Sequence, residues 1–192
     1  MSLTTNLQAF YKLSDLTDSS GNNNTLINNG NVSFASGKIG NAAVLPAISK
    51  ALEINNQTIG NFGSSDFTIC GWLNPSFVGG SQYSVLGLHD GAYNTWGIYL
   101  RPDQTINIYG LTISSSNTTD FIGGGFVNAD QWQHFVARRN GSTFEMFLNG
   151  TSVASNTVTG STGDNLPIYL GSDAANAPLT VNWMQLVSGT VH

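Results

Sequence analysis

The residues of this chain that could perform acid–base chemistry are few and lie far apart in the sequence. Hydrolysis of a glycosidic bond needs two carboxylates that flank it, one as acid and the other as nucleophile or base. Glu53 and Glu145 are each the only acid in their predicted strand. The other acids in the body of the chain stand singly in turn-like contexts: Asp90, Asp103, Asp120, Asp130, Asp164 and Asp173. The pattern therefore predicts no paired-carboxylate active site.

The single cysteine and the histidines form no catalytic constellation either. Cys70 lies inside a predicted strand, and the sequence has no zinc-protease, nucleophile-elbow or phosphate-loop motif. His89 has only the adjacent Asp90 near it, so a solvated loop histidine is the simpler interpretation. His134 is interpreted as a partly buried strand residue. We therefore expect that the protein is not an enzyme.

The elements that must position any site are short apolar segments between turn signals, without helical periodicity. In the clearest segment, 132–153, Asn140-Gly141 and Asn149-Gly150 separate three apolar runs and predict a meander with type I′ turns. A strand over 66–73 should end before Asn74-Pro75, because proline has no amide hydrogen to donate. The other predicted strands are 7–13, 32–34, 42–45, 51–54, 83–88, 96–100, 105–109, 121–126, 166–170 and 181–187. This spacing predicts an all-β sandwich or barrel.

Composition narrows the classes of partner. Only 9% of the 192 residues are charged, against roughly 25% in an ordinary soluble domain. Six Lys and Arg and a net charge of −5 cannot neutralise many phosphates, so we expect neither nucleic acid nor a membrane surface as a partner. The polar stretch after Met1 predicts no export signal, and no apolar run predicts a membrane span.

Six short motifs follow one another in a characteristic order. They are Phe10-Tyr-Lys-Leu13, Asp18-Ser-Ser-Gly-Asn-Asn23, Gly37-Lys-Ile-Gly-Asn-Ala-Ala43, Asp66-Phe-Thr-Ile-Cys-Gly-Trp72, Trp132-Gln-His-Phe135 and Phe147-Leu-Asn-Gly150. The set resembles the concanavalin A-like lectin/glucanase superfamily, in particular its laminin G-like branch. The resemblance implies one domain over 1–192, an antiparallel β-sandwich of jelly-roll topology with a concave face. Members mostly bind sugars or proteins, and the E-x-D-x-E motif of the glucanase branch is missing here.

The resemblance also implies a calcium site, although no cofactor is required. In many relatives Ca²⁺ joins the N-terminal Asp-x-Ser-Gly loop to an aspartate near the start of the last strand. Asp18, Gly21 and Asn23 match the loop, whereas Asn182 stands where relatives have the acid. An amide oxygen carries no formal charge, which lowers the affinity for Ca²⁺. The alternative is an Asx-type turn in which Asp18 accepts hydrogen bonds from backbone amides.

The middle strands, which the resemblance places on the concave face, carry a set of aromatic residues. Flat rings stack on sugar faces while polar groups bond the hydroxyls. The candidate binding residues are Tyr83, Tyr93, Trp96, Tyr99, Arg101, Asn107 and Tyr109. The alternative is that half of these rings fill the sandwich. Trp72 and Trp132, inside the strand motifs, are expected in the core.

Two functions fit these observations. The first is a non-catalytic, lectin-like module that binds a glycan or a protein surface outside the cell. The second is a decoration or adhesion protein on the surface of a phage virion, with other virion proteins or copies of itself, such as a trimer, as partners. The low charge, the abundance of Asn, Ser, Thr and Gly, and a start at Met1 without an export signal favour the second function, which does not exclude glycan binding.

Overall fold

The computed structural model describes residues 6–45, 52–76, 83–89, 94–109, 122–157, 166–171 and 179–188. Within these ranges the regular structure is entirely β, and no helix could span a membrane. The strands are β1 (Leu7–Tyr11), β2 (Ile27–Asn28), β3 (Ser33–Ser36), β4 (Asn41–Leu45), β5 (Leu52–Ile54), β6 (Phe67–Pro75), β7 (Tyr83–His89), β8 (Asn94–Leu100), β9 (Thr105–Tyr109), β10 (Ile122–Phe126), β11 (Gln133–Asn140), β12 (Thr143–Leu148), β13 (Thr151–Thr157), β14 (Ile168–Leu170) and β15 (Leu179–Ser188).

These strands form two antiparallel sheets. In the part of the chain that the structure describes, the first sheet has eight strands, ordered β13-β12-β11-β6-β15-β4-β3, with β1 paired to the later half of β15. The second has seven strands, ordered β10-β9-β8-β7-β14-β5-β2. They are called below the eight-stranded and the seven-stranded sheet. The predicted all-β jelly-roll sandwich is thereby confirmed.

The core lies between the two sheets and takes alternate residues from each. Successive side chains of a strand point to opposite faces, and in β6 it is Phe67, Ile69 and Leu73 that join the core cluster. Thr68, Cys70 and Trp72 consequently lie on the outer face of the eight-stranded sheet. Each fully buried apolar side chain contributes about 1.5–3 kcal/mol relative to an exposed one. The apolar residues therefore determine which side of each strand faces the core.

The predicted meander is confirmed as β11, β12 and β13, but its two turns differ. At Asn149-Gly150 the φ angles are 49° and 80°, as a type I′ turn requires. Asn140 instead ends β11 in register with Thr143, and the turn residues are Gly141, with φ 60°, and Ser142. Glycine with positive φ at the first turn position is the type II′ pattern, so the type I′ prediction at Asn140 was wrong.

Two other strand boundaries also differ from the prediction. β6 runs on to Pro75, which pairs with Leu179. A proline at the last strand position needs no amide hydrogen there, and its carbonyl oxygen accepts from the Asp130 amide at 2.8 Å. β1 ends at Tyr11, and Leu13 has a φ of 59°, outside the extended region.

Candidate functional site

Trp96 belongs to the core, so its predicted place on a binding face was wrong. The side chain is 0% exposed. Its indole N–H donates to the carbonyl oxygen of Gly60 at 3.0 Å, and its ring centroid lies 6.0 Å from that of Phe62 and 6.4 Å from that of Phe67. The physical reason is strand alternation, which points Trp96 inward together with Ile98. A ring in this position cannot stack on a sugar.

Tyr99 and Asn107 lie on the outer face of the seven-stranded sheet as register partners, but they are 1% and 0% exposed. A Cβ atom on Gly97 would come within 2.6 Å of the Tyr99 ring, which therefore lies flat along its own strand. Asn107 Nδ2 donates to the hydroxyl of Thr105 at 3.1 Å. Both predicted binding side chains are thus buried and are not presented to a ligand.

The rest of the predicted aromatic face is described only in part. Arg101 follows β8, is partly buried and begins a tight turn in which its amide donates to the Thr105 carbonyl oxygen at 2.9 Å. Tyr93 lies outside the described residues. Tyr83 and Tyr109 belong to β7 and β9, but their side chains lie outside the described part.

Trp72 and Trp132 are not core residues. Both are partly buried and neither belongs to the core cluster. Trp72 occupies the outward phase of β6, opposite His134 of β11, and the two ring centroids are 5.2 Å apart. His134 is partly buried, as expected for its strand position, and this burial lowers its pKa.

Asp18 organises the loop between β1 and β2. Its Oδ1 accepts hydrogen bonds from the amides of Phe10 at 3.0 Å and Ser20 at 2.8 Å. Its Oδ2 accepts from the Ser20 hydroxyl at 2.8 Å and from the Asn24 amide at 3.0 Å. The hydrogen bond from the Ser20 amide, two residues after Asp18, is that of an Asx turn. One carboxylate therefore ties the loop to strand β1.

Asn182 performs a similar role on the outer face of the eight-stranded sheet. It pairs with Trp72 in register and is 0% exposed. Its Oδ1 accepts from the Ile39 amide at 2.8 Å. Its Nδ2 donates to the carbonyl oxygens of Lys12 and Asn41, each at 2.8 Å. One buried amide thus fastens two separate loops to β15.

These two residues do not fit the calcium site that the resemblance implies. Ca²⁺ takes about six to eight oxygen ligands, but N–H and O–H donors face Asp18, and the nitrogen of Asn182 faces the nearby carbonyl groups. Gly21 and Asn23 are exposed loop residues with φ angles of 91° and 60°. In the described ranges no three His, Cys, Asp or Glu side chains come together. The hydrogen bonds of Asp18 in this structure are those of the Asx turn.

A polar pocket of about 490 Å³ opens beside the Asp18 loop. It is called here the asparagine pocket. Three segments distant in sequence build it: the start of β1, the loop that Asp18 fixes, and the loop after β5. Its lining residues are Asn6, Leu7, Gln8, Ser20, Asn22, Asn24, Asn56, Thr58 and Ile59.

Hydrogen bonds between amide side chains and the backbone hold the asparagine pocket in shape. Asn24, 8% exposed, donates through Nδ2 to the Gln8 carbonyl oxygen at 3.0 Å and accepts at Oδ1 from Asn56 Nδ2 at 2.8 Å. Asn22 Nδ2 donates to the carbonyl oxygens of Leu7 at 2.7 Å and Gln8 at 3.0 Å. Because these bonds join all three segments, the pocket is preformed.

The described lining of the asparagine pocket is neutral. No acidic or basic side chain is among the described lining residues, so these residues supply no general acid or base that could activate a hydroxyl group. Amide and hydroxyl groups both donate and accept hydrogen bonds. Gln8 uses only one long bond, from Nε2 to the Asn6 carbonyl oxygen at 3.3 Å, among the described residues. The pocket can therefore hold a neutral ligand rich in hydroxyl groups.

The two glutamates considered as catalytic candidates lie apart in space as well as in sequence. Glu53 lies on the outward phase of β5 and accepts from Asn29 Nδ2 at 2.7 Å. Glu145 lies on β12 and forms an ion pair with Arg138 at 2.8 Å. These strands belong to different sheets, so the two glutamates cannot flank one glycosidic bond.

The chain is similar in fold to several solved structures, among them two toxin binding domains. The binding domain of Paraclostridial Mosquitocidal Protein 1 matches with a TM-score of 0.83 and 18% identity, over all of this chain and 51% of that one. A botulinum neurotoxin DC binding domain in complex with SialylT matches at 0.75 and 13%, over 100% and 50%. The chain thus spans about half the length of these toxin domains. Domain 4 of a GH43 extracellular arabinanase from Geobacillus stearothermophilus, in complex with arabinotriose, matches at 0.67 and 21%, over 97% and 94%.

Sequence comparison gives the family. No curated protein matches the chain significantly. A laminin G-type family model matches residues 45–182, which includes every strand from the end of β4 into β15. The chain therefore belongs to the concanavalin A-like lectin/glucanases superfamily.

Proposed function

We propose that this chain is a single, non-catalytic jelly-roll domain that binds a neutral saccharide in the asparagine pocket. One observation carries the proposal: a preformed pocket of about 490 Å³ is lined mainly by amides and hydroxyls, and no ionisable side chain is among its described lining residues. Its volume lies within the range of roughly 300–1,000 Å³ typical of small-molecule sites. Hydroxyl groups of a sugar match such a lining because each can both donate and accept.

The apolar members of the lining suit the same class of ligand. Leu7 is partly buried and supplies the accessible apolar atoms, whereas Ile59 is 2% exposed and belongs to the core cluster. Sugar rings present C–H groups beside their hydroxyls, so apolar wall atoms contact the former while the amides bond the latter. A charged ligand would have no counter-ion among the lining residues. A neutral saccharide is therefore the ligand class that the pocket favours.

The similar structures support recognition over catalysis. The arabinanase domain was solved with arabinotriose, which is a neutral saccharide. Botulinum neurotoxin DC binding domains were solved with SialylT and with rat synaptotagmin II. These ligands belong to those proteins, and they support a binding role for a chain of the same fold whose described glutamates lie on different sheets.

The proposal predicts that Gln8→Ala weakens saccharide binding without destabilising the fold. A glycan array of neutral and charged saccharides provides the ligand, and isothermal titration calorimetry then measures its affinity. Loss of one or two hydrogen bonds of about 0.5–1.5 kcal/mol each should weaken binding about tenfold. The melting temperature should be unchanged, because the Gln8 side chain makes only the 3.3 Å bond among the described residues.

Gln57→Ala is the matched control for this experiment. Gln57 is exposed in the loop after β5 but does not line the asparagine pocket, so its truncation should leave the affinity unchanged. Equal affinity of the parent protein and Gln8→Ala would contradict the proposed site. Absence of any neutral saccharide ligand on the array would contradict the proposed function.

We also propose that the domain is displayed on the surface of a phage virion. It is supported by the low content of charged residues, 9%, and by the Asn, Ser, Thr and Gly richness of the chain. A decoration or adhesion protein that docks as a trimer should have about three times the 20.4 kDa chain mass in light scattering after size exclusion. A monomer at all concentrations would favour the alternative, a lectin-like module that acts outside the cell.

A further inference from the structure

A second surface with ligand-binding chemistry lies on the outer face of the eight-stranded sheet. It comprises Trp72, His134 and Lys38, with the backbone of Lys12 fastened nearby, and is called here the tryptophan patch. The ammonium nitrogen of Lys38 lies 5.0 Å from the centroid of the Trp72 ring, and the His134 ring meets it at an interplanar angle of 57°. None of these residues lines the asparagine pocket.

Asn182 builds this surface. It stands opposite Trp72 in register, accepts from the amide of Ile39, next to Lys38, and donates to the carbonyl oxygen of Lys12. Both loops that bear the lysines are therefore fastened to the strand beside Trp72. The Asn182 side chain is fully buried, so the loop backbones have fixed positions relative to the ring.

The tryptophan patch is basic although the protein is acidic. The chain has six Lys and Arg and a net charge of −5. Lys12 and Lys38 are exposed, and within the described residues neither forms an ion pair. Arg138, on the same outer face, is neutralised by Glu145 at 2.8 Å. Lys38 thus presents a charge without an acidic partner among the described residues at the Trp72 ring, and Lys12 adds a second exposed charge on a loop that is fastened to the neighbouring strand β15.

We propose that the tryptophan patch is a separate binding site for an acidic saccharide. The anionic group pairs with the Lys38 ammonium group, and the sugar ring packs against the accessible part of the Trp72 indole. Aromatic rings contribute about 0.5–1.5 kcal/mol beyond area burial when they pack on a flat partner, and an exposed ion pair contributes about 0.2–1 kcal/mol. The charge complementarity separates this site from the neutral asparagine pocket.

The test compares 3′-sialyllactose with lactose by calorimetry or ligand-observed NMR. The parent protein should bind the sialylated sugar more tightly than lactose, and added NaCl should weaken the difference because exposed charges are screened. Lys38→Met, which keeps the aliphatic stem, should weaken binding of 3′-sialyllactose about fivefold. Trp72→Ala should weaken it about tenfold.

Two further variants give the controls. Lys38→Arg keeps the charge and should bind within about twofold of the parent protein. Asn128→Asp, at an exposed loop position after β10, lowers the net charge by the same amount as Lys38→Met and should leave binding unchanged. A sulfated disaccharide, tested in parallel, distinguishes sulfate from carboxylate as the anion.

Either of two results would overturn the assignment of this site. The first is equal binding of 3′-sialyllactose and lactose together with no binding of the sulfated sugar. The second is a Lys38→Met variant that binds like the parent protein. Gln8→Ala should retain full binding at the tryptophan patch, so failure of the asparagine pocket is distinguishable from failure of this second site.

Discussion

Asn182→Ala is expected to cause a large loss of stability. The substitution leaves the Ile39 amide and the Lys12 and Asn41 carbonyl groups without their partner at a fully buried position. An orphaned buried polar group costs about 1–3 kcal/mol, so the free energy of unfolding should fall by about 3 kcal/mol or more. Urea denaturation measures it, and the melting temperature should fall by about 10 °C.

Asn182→Asp tests the contribution of the amide nitrogen alone, because the two side chains have nearly the same shape. A carboxylate at this position turns a donor that serves two carbonyl groups into an acceptor that repels them. The variant should be at least as unstable as Asn182→Ala, although it introduces the acid that the family resemblance implies at position 182. Asn156→Ala on the exposed strand β13 serves as control and should change stability by less than about 0.5 kcal/mol. An Asn182→Asp variant as stable as the parent protein would refute this role for the amide.

Asp18→Asn should destabilise the protein at neutral pH and have much less effect in acid. Burial raises the pKa of Asp18, but hydrogen bonds from Phe10, Ser20 and Asn24 outweigh that effect and hold the pKa below its ordinary value. In the variant, an amide N–H₂ group replaces the carboxylate oxygen that accepted from the Ser20 hydroxyl and the Asn24 amide. Donors then face donors. Bonds to a charged acceptor are worth about 1.5–3 kcal/mol, so the loss at pH 7 should be about 2–3 kcal/mol.

The sign of the pH effect follows from linkage. Because the folded pKa of Asp18 is lowered, its stabilisation is fully present above the unfolded pKa of about 3.9 and is lost as the pH falls through the folded value. Urea unfolding of the parent and Asp18→Asn proteins should therefore differ strongly at pH 7 and converge in acid below the folded pKa of Asp18. The pH 7 difference should be the same in EDTA and in CaCl₂. A melting temperature of the parent protein that falls in EDTA would reinstate the calcium site.

The fold was predictable because the signals for it are local. Short apolar runs and Asn-Gly turns indicated the strands and the meander, and their order indicated the family. The short β2, which pairs with β5 through two residues, escaped prediction because two residues carry no periodicity. Local spacing also indicated the Asx turn at Asp18 as the alternative to calcium.

The errors at tryptophan positions came from the phase of strand alternation. Trp96 shares its phase with the apolar Ile98 and Leu100, whereas Trp72 is out of phase with Phe67 and Ile69. Counting the phase of each strand would have placed Trp96 inward and Trp72 outward. The sequence therefore contained the signal for both corrections.

The asparagine pocket could not be predicted in the same way. Its segments, 6–8, 20–24 and 56–59, are distant in sequence, and their asparagines are indistinguishable from ordinary turn residues. Tertiary hydrogen bonds of Asn22 and Asn24, to the Leu7 and Gln8 carbonyl groups and to Asn56, bring them together. The site depends on long-range contacts that no local pattern encodes.

An NMR titration of ¹⁵N-labelled protein with the neutral saccharide selected on the glycan array tests most directly whether that saccharide binds in the asparagine pocket. The shifted signals should cluster on residues 6–8, 20–24 and 56–59, including the side-chain amides of Gln8 and Asn22, while β11–β13 stay unchanged. Shifts confined to the outer face of either sheet, with the asparagine pocket unaffected, would contradict this assignment of the site.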